Sequence, residues 1–170
     1  MKTLILFRHA KAERNTATGD DFDRDLTERG VKDAALMGQV LKKSGVKPDA
    51  AIVSSARRTR ETWEHAGAAF PGVATAYSRR LYEATPQTLM EAAETELKRA
   101  KTVIVVAHNP GIQELAVALL KGGGAAAEDI ARAQAEFPTS GIAAFSIKDD
   151  GGLAAAGLLY PADHGGKGGD

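Results

Sequence analysis

The chain has 170 residues, of which 44% are hydrophobic and 26% are charged, and these proportions are ordinary for a single globular domain. Lysine plus arginine equals aspartate plus glutamate at 22 each, so the net charge gives no general attraction to nucleic acid or to an anionic membrane. The absence of cysteine excludes disulfides, thiolate catalysis and cysteine-bound zinc.

The first apolar run, residues 4–7, is far shorter than a signal peptide or a membrane span, so we expect a cytoplasmic protein with no membrane partner. Such a run is typical of a buried strand, and it ends at Arg8 and His9. Ligands of open α/β sheets bind outside the carboxyl ends of the strands. An imidazole there can act as nucleophile or base, and a guanidinium suits an oxyanion, although a histidine after a strand is often structural.

A polar stretch, residues 14–25, is predicted to be an exposed loop. Its four aspartates could suggest a divalent-metal site, but the spacing does not match an EF-hand, and a solvated loop is favoured. A helix is predicted to begin after Thr27, a plausible N-cap, and to end at residues 44–45.

A second short strand, residues 50–53, ends in Ser54 and Ser55, one of which we expect to cap the following helix. The first turn of that helix carries arginines, which strengthen the anion site that a helix N-terminus offers. Among them Arg57 and Arg60 are interpreted as surface charge, whereas Arg58 is a candidate for anion binding.

One further strand between two helices continues the pattern. Thr85 is predicted to cap a helix over residues 86–99, and the apolar run 102–107 has the character of a central strand buried on both faces. That strand ends at His108, and another helix is predicted over residues 112–120.

The last third of the chain is predicted to contain a flexible connection at 121–127 and a hairpin with strands at 142–147 and 153–160. Residues 163–170 are glycine-rich and are predicted to form a flexible tail, which leaves one domain over residues 1–162. The alternation of strands and helices predicts an α/β protein.

Two histidines that end strands and one arginine-bearing helix start are expected to meet at one edge of the sheet. One imidazole could attack phosphorus, while His108 and the guanidinium groups hold the three phosphoryl oxygens. Phosphoryl transfer needs mainly positioning and charge neutralisation, which these residues could supply without a metal ion or another cofactor.

These residues resemble the sequence motifs of the histidine phosphatase superfamily, also called the phosphoglycerate mutase-like fold, and in particular its short SixA-type phosphohistidine phosphatase branch. The matching motifs occur in the expected order and span roughly residues 2–160. They are Arg8-His9, Leu26-Thr27-x-x-Gly30, Ser54-Ser55-x-x-Arg58-x-x-x-Thr62 and His108-Asn109-Pro110. The resemblance implies three α/β/α layers with a mostly parallel central sheet and helices on both faces.

The resemblance also implies roles for individual residues. His9 would be the nucleophile that becomes phosphorylated, while Arg8, Arg58 and His108 would bind the phosphoryl group. The remaining candidates are Arg24 at the rim, Asn109 beside the second histidine, and Glu83 as proton donor, although a glutamate near a helix start could equally be a surface residue. No metal or cofactor is implied.

The resemblance and the short chain favour an open pocket and a macromolecular substrate, namely a phosphorylated histidine on a signalling domain. The alternatives are a phosphomonoesterase that acts on a small phosphorylated metabolite and a non-catalytic phosphate-binding module. Mutase activity is less favoured, since it needs a pocket that retains and reorients a bisphosphate. The expected partner is therefore a phosphorylated protein or a small phosphorylated molecule, and no nucleic acid.

Overall fold

A six-stranded sheet lies between two layers of helices in the computed structural model, which describes residues 1–169. The strands are β1 (Lys2–Arg8), β2 (Ala50–Ser54), β3 (Ala74–Ser78), β4 (Thr102–Ala107), β5 (Ile142–Ile147) and β6 (Leu153–Leu159). Their order across the sheet is β3-β2-β4-β1-β5-β6. The first four strands are parallel, and β5 and β6 form an antiparallel hairpin beside β1. The predicted three-layer α/β/α fold with a mostly parallel sheet is confirmed.

Helices cover both faces of the sheet. They are α1 (Glu28–Lys43), α2 (Arg57–Ala66), α3 (Pro86–Leu97), α4 (Gly111–Gly122) and α5 (Ala127–Ala135). The predicted caps of two helices are confirmed, because Thr27 accepts a hydrogen bond from the Gly30 amide and Thr85 accepts one from the Thr88 amide. No helix within residues 1–169 is long and apolar enough to cross a membrane.

The apolar run of β1 divides its side chains between two cores. Leu4 and Leu6 belong to the cluster under α3, α4 and α5, whereas Ile5 and Phe7 belong to the cluster under α1 and α2. Successive side chains of a strand point to opposite faces, so a strand covered on both sides must be apolar throughout. Because the middle of β1 is buried on both faces, polar residues first occur at its carboxyl end, where the strand leaves the sheet.

Two elements lack a sequence signal. Strand β3 lies at the edge of the sheet, and most of its side chains are exposed or half-buried, so no apolar pattern marks it. Helix α5 follows the connection predicted to be flexible, and it has no side-chain cap and one buried residue, Ala133. A helix that buries so little of its surface leaves no apolar stripe in the sequence.

Residues 166–169 lie against α1. The Asp33 carboxylate accepts hydrogen bonds from the Lys167 amide at 3.1 Å and from the Gly168 amide at 2.8 Å. A Cβ on Gly166 would lie 2.7 Å from an oxygen of the same carboxylate, so this approach requires glycine. The sequence leads us to expect a flexible tail over residues 163–170, whereas the structure places residues 166–169 in contact with the domain; Asp170 lies outside the described residues.

Candidate active site

The carboxyl ends of β1, β2 and β4 are neighbours, and the polar residues that follow them meet there. The ring centroids of His9, after β1, and His108, after β4, lie 5.3 Å apart. Arg8 and Arg58 lie close enough to both histidines to act on them electrostatically. The structure thus brings together the four residues that the sequence predicts for phosphate chemistry.

His9 is held as a neutral ring with one nitrogen available. Its Nδ1 lies 2.8 Å from the Ala10 carbonyl oxygen. A carbonyl can only accept, so Nδ1 carries the proton and Nε2 carries a lone pair. Burial, followed by the electrostatic effects of His108 and Arg8, holds the pKa of His9 well below 6.5. An unprotonated Nε2 at neutral pH is the form of histidine that can act as a nucleophile.

The backbone around His9 is fixed on several sides. Its amide donates to the Ala107 carbonyl at 3.1 Å, and its carbonyl accepts from the Ser140 amide at 3.0 Å. The Ala10 amide donates to Thr62 Oγ1 at 2.9 Å. The threonine of the second arginine motif therefore supports the first histidine motif from helix α2.

His108 is oriented by a serine from the neighbouring strand. Its Nε2 lies 2.7 Å from Ser54 Oγ, and its Nδ1 is buried without a hydrogen-bond partner among the described residues. Burial, followed by the charge of Arg58, lowers the pKa of His108 to about 3.

The prediction that Ser54 or Ser55 caps helix α2 is wrong. The residue at the N-cap position is Ala56, which has no side chain that could cap the helix. The Ser54 hydroxyl accepts only a long hydrogen bond, 3.4 Å, from the Ala56 amide. Because β2 and β4 are paired, the hydroxyl at the end of one strand reaches the imidazole at the end of the other.

Arg58 is bound at its outer end to a turn of the predicted exposed loop. Its Nη1 donates to the Asp21 carbonyl at 2.8 Å and its Nη2 to Asp21 Oδ2 at 3.1 Å. Its Nε is buried without a partner among residues 1–169. The guanidinium therefore has a fixed orientation, and its Nε donor is still available for a ligand.

Asp21 gathers three donors on its carboxylate. Besides Arg58, Arg24 donates from Nε at 2.8 Å and the Tyr82 hydroxyl donates at 2.7 Å. Burial alone would raise the pKa of Asp21, but the bond from Tyr82 and the charge of Arg58 outweigh it and lower the pKa to about 2. Arg24, predicted at the rim, is bound to Asp21 and also donates to the Glu13 carbonyl at 2.9 Å.

One carbonyl oxygen joins two further predicted residues. The Phe137 carbonyl accepts from Arg8 Nη1 at 3.0 Å and from Asn109 Nδ2 at 2.9 Å. Asn109 therefore lies beside the site and links the segment after β4 to the one before β5, while its Oδ1 is buried without a partner in the described chain.

A cleft of about 520 Å³ opens from these buried groups to solvent. Its lining includes Arg58 and His108 at the inner end and three carboxylates, those of Asp21, Glu83 and Glu114. Glu83 is exposed and has a φ of 56°, a left-handed conformation that is uncommon outside glycine and that concentrates at functional sites. The predicted proton donor thus lies on the wall of the cleft. Within residues 1–169, no group of three or more histidine, aspartate or glutamate side chains is placed to hold a metal ion.

Sequence reasoning missed Ser54, Asp21 and Tyr82 as parts of the site. For Asp21 a weak signal exists, because it lies three residues before Arg24 and could pair with it on one turn. Ser54 and Tyr82 have no such local signal, since each contact depends on how distant segments are placed together.

Sequence comparisons find a matching family and several relatives of similar length. A sequence model of the histidine phosphatase superfamily (branch 1) matches residues 4–101. An uncharacterised protein of Mycobacterium tuberculosis (strain ATCC 25618 / H37Rv) is 36% identical over 140 residues, which cover 82% of this chain and 86% of that protein. An uncharacterised chloroplastic protein of Arabidopsis thaliana is 28% identical over 171 residues, with 94% and 78% covered.

Solved structures with the same fold include proposed phosphohistidine phosphatases. SixA from Agrobacterium tumefaciens has a TM-score of 0.82 and 27% identity, covering 94% of this chain and 98% of that chain. SixA from Nakamurella multipartitia has a TM-score of 0.81 and 26% identity, with 94% and 96% covered. A phosphoglycerate mutase from Plasmodium falciparum has a TM-score of 0.64 and 20% identity, with 92% and 89% covered, and shares the fold.

Proposed function

This chain is a phosphatase of the histidine phosphatase superfamily, in its SixA-like branch, and we propose that its substrate is phosphohistidine in a signalling protein. The observation that carries the proposal is His9, a buried neutral imidazole whose Nε2 lone pair is available beside Arg8, Arg58 and His108. The two SixA structures support the substrate, since both are described as proposed phosphohistidine phosphatases.

The reaction consists of two displacements at phosphorus. In the first, His9 Nε2 attacks the phosphoryl group, and the bond from phosphorus to the leaving nitrogen breaks with its electron pair remaining on that nitrogen. In the second, water attacks the phosphorylated His9, the new P–N bond breaks, and inorganic phosphate leaves. The proton released by water goes to bulk solvent or to a nearby base, and His9 returns to its neutral form.

Charge on the phosphoryl oxygens is stabilised by donors that are already oriented. Arg58 Nε and His108 Nδ1 are buried without partners among the described residues. If the Ser54 hydroxyl donates to His108 Nε2, the proton of that ring lies on Nδ1 and is available to the phosphoryl group. Donors fixed before the reaction need little reorganisation in the transition state, which is the largest source of catalysis in many enzymes.

A strong general acid is less important for this substrate than for a phosphomonoester. Phosphohistidine leaves as an imidazole, a better leaving group once protonated than an alkoxide. Glu83 is exposed on the wall of the cleft and has no hydrogen bond to another described side chain. We propose that it is the proton donor where one is needed, and that no metal ion or cofactor takes part.

The second candidate function is a phosphomonoesterase acting on a small metabolite, and the observation that favours it is the same position of Glu83, from which a carboxyl could protonate an oxygen leaving group. A non-catalytic phosphate-binding module is less well supported, because His9, Arg8, Arg58 and His108 are all present and gathered.

The test compares kcat/KM for a phosphohistidine-bearing protein and for phosphomonoesters, using wild type and Glu83→Gln. We expect the P–N substrate to be preferred and Glu83→Gln to change its turnover by less than about threefold. A preference for monoesters, together with a large loss in Glu83→Gln, would instead establish the small-molecule phosphatase. Absence of turnover for both classes would leave only phosphate binding.

A further inference from the structure

The outer part of the cleft carries an unusual charge for a protein that binds phosphate. Besides Arg58 and His108 at the inner end, the charged residues that line it are Asp21, Glu83 and Glu114. Among the described residues of this lining, Arg58 is the one permanent cation. His108 adds no charge at neutral pH, because burial and Arg58 lower its pKa to about 3.

Two buried side chains show which end of the cleft takes the phosphoryl group. Arg58 and His108 are each 6% exposed, and each has a buried nitrogen, Nε and Nδ1 respectively, without a partner in the part of the chain described. A buried donor without a partner is costly, and an anionic oxygen would satisfy Arg58 Nε. When the Ser54 hydroxyl donates to His108 Nε2, the same anion also accepts from His108 Nδ1. Attack by His9 is in line with the departing bond, so the leaving group lies on the side of the phosphoryl group opposite His9, and the cleft beyond Arg58 and His108 is the open space available to it.

The carboxylates near the leaving group are not all equivalent. The charge of Asp21 is offset, because Arg58 and Arg24 both bind it. Glu83 and Glu114 lie in no ion pair with another described residue, and both side chains are exposed. The leaving group therefore encounters two uncompensated negative charges.

We propose that these charges make the enzyme select phosphoryl compounds whose leaving group is cationic, such as protonated phosphohistidine or phospholysine, and reject phosphomonoesters that carry a second anion. The proposal rests on the phosphatase function given above and names the class of substrate. These carboxylates repel an anionic leaving group and attract a cationic one, and the selectivity is the difference between the two binding free energies.

The chemistry of the leaving group fits this selection. In a phosphoryl-imidazole that is protonated on its second ring nitrogen, the imidazole ring is cationic. When its P–N bond breaks, the electron pair stays on the ring and a neutral imidazole leaves, so no further proton is required at that step. Carboxylates beside the ring favour the protonated form and so increase the fraction of substrate that is ready to react.

The test uses two small phosphomonoesters of similar size, phosphoethanolamine with a cationic leaving group and phosphoglycolate with an anionic one. The quantity measured is kcat/KM for phosphoethanolamine divided by kcat/KM for phosphoglycolate. Where turnover is too slow, both compounds are tested as inhibitors of phosphoramidate hydrolysis, and the inhibition constant of phosphoglycolate is divided by that of phosphoethanolamine. Because both compounds have P–O bonds, this ratio reports charge selection and is independent of any preference for P–N bonds.

We expect a ratio well above one in wild type and a decrease of about tenfold in Glu114→Lys, with about a threefold decrease in Glu114→Gln. The matched control is Glu94→Lys, an exposed glutamate of α3 that lines a different groove, and it should leave the ratio unchanged. Raising the salt from 0.05 M to 0.5 M should shrink the effect of Glu114→Lys, as screening requires.

A wild-type ratio near one, or a ratio that Glu114→Lys does not change, would overturn the proposal. Failure of the phosphohistidine assignment would look different. In that case charge-matched P–N and P–O compounds would be turned over equally well, while the ratio between cationic and anionic monoesters would stay high.

Discussion

The floor and the rim of the cleft are built in different ways. On the floor, His9 and His108 follow central strands, are almost completely buried and are fixed by backbone or hydroxyl contacts at the end of the sheet. On the rim, Asp21 and Glu83 lie on short turns between elements, are exposed and are held by side-chain bonds or by an unusual backbone angle.

This structural difference means that the floor carries out the phosphoryl transfer, whereas the rim determines which substrate is accepted. The floor cannot change without disturbing the packing of β1 and β4, so the groups that handle the phosphoryl transfer are set by the fold. The rim can change charge and shape with little cost to the core, because loops tolerate substitution better than the elements they connect. A phosphatase with this arrangement can acquire a new substrate while its phosphoryl chemistry stays the same.

Among substitutions on the floor, removal of the nucleophile should cause the largest loss of activity. His9→Ala is expected to lower kcat by at least a thousandfold and to abolish the acid-labile phosphorylated form of the enzyme, because no other imidazole has a free lone pair at that position. The measurement is single-turnover kinetics with mass spectrometry of the trapped intermediate, and thermal unfolding serves as the control for folding. Activity above about a thousandth of wild type would show that His9 is not the nucleophile.

Arg58 joins the floor to the rim, and its removal should be the next largest effect. Arg58→Ala is expected to lower kcat/KM by about 30- to 1000-fold, which corresponds to about 2–4 kcal/mol of transition-state stabilisation. The matched control is Arg57→Ala, since that neighbouring arginine is exposed and paired with Glu61, and its loss should change kcat/KM by less than about twofold. Similar losses in both variants would mean that the helix bearing them matters and the buried guanidinium does not.

The two regions should also respond differently to acid. The folded-state pKa values of His9 and His108 lie below their unfolded value near 6.5, so the unfolded chain binds more protons. The stability associated with these neutral rings is fully present above pH 6.5 and is lost as the pH falls, for His108 until about pH 3. Asp21, with a pKa of about 2, contributes a stability that is lost only below pH 4.

We therefore expect the free energy of unfolding of the phosphate-free enzyme to fall between pH 6.5 and pH 4.5, by up to about 1.4 kcal/mol per pH unit for each histidine. Urea titrations at several pH values measure this slope, and His108→Asn should reduce it while Asp21→Asn should not. The acid limb of the profile of kcat/KM, which reports the free enzyme, should lie below pH 6.5. An acid limb at or above 6.5 would contradict the neutral state assigned to His9.

The sequence predicts the floor better than the rim for a physical reason. The runs that become β1, β2 and β4 are apolar because they are buried on both faces, and the polar residues that end them mark the site. Thr27 and Thr85 are visible as caps because a cap acts on an amide only a few residues away. These signals are local, so a single sequence is enough to read them.

The missed contacts join residues far apart in the sequence. The bond between His108 and Ser54 spans 54 residues, and that between Arg58 and Asp21 spans 37. Neither follows from a periodic pattern, since each depends on strand order and on the conformation of an exposed turn. The edge strand β3 and the helix α5 were missed for a related reason, because they bury too little apolar surface to leave a pattern.

The smallest predicted effect is at Asp21, whose carboxylate competes with the substrate for the same guanidinium. Asp21→Asn keeps an oxygen that can accept from Arg58 and Tyr82 but removes the negative charge. We expect KM to fall about two- to fivefold, because the negative charge of Asp21 no longer repels the anionic phosphoryl group. The value of kcat should change by less than about twofold.

Asp21→Ala separates the charge of this residue from its role in positioning Arg58. The shorter side chain removes the bonds from Arg58, Arg24 and Tyr82 together, so the guanidinium is less well oriented and kcat should fall while KM still improves. Steady-state kinetics on both variants measures the two constants. If Asp21→Asn raised KM, the carboxylate would be helping to bind substrate, and the rim would be part of the phosphoryl site itself. A fall in KM with an unchanged kcat would instead show that the phosphoryl site ends at Arg58 and that Asp21, at the outer end of this arginine, belongs to the rim.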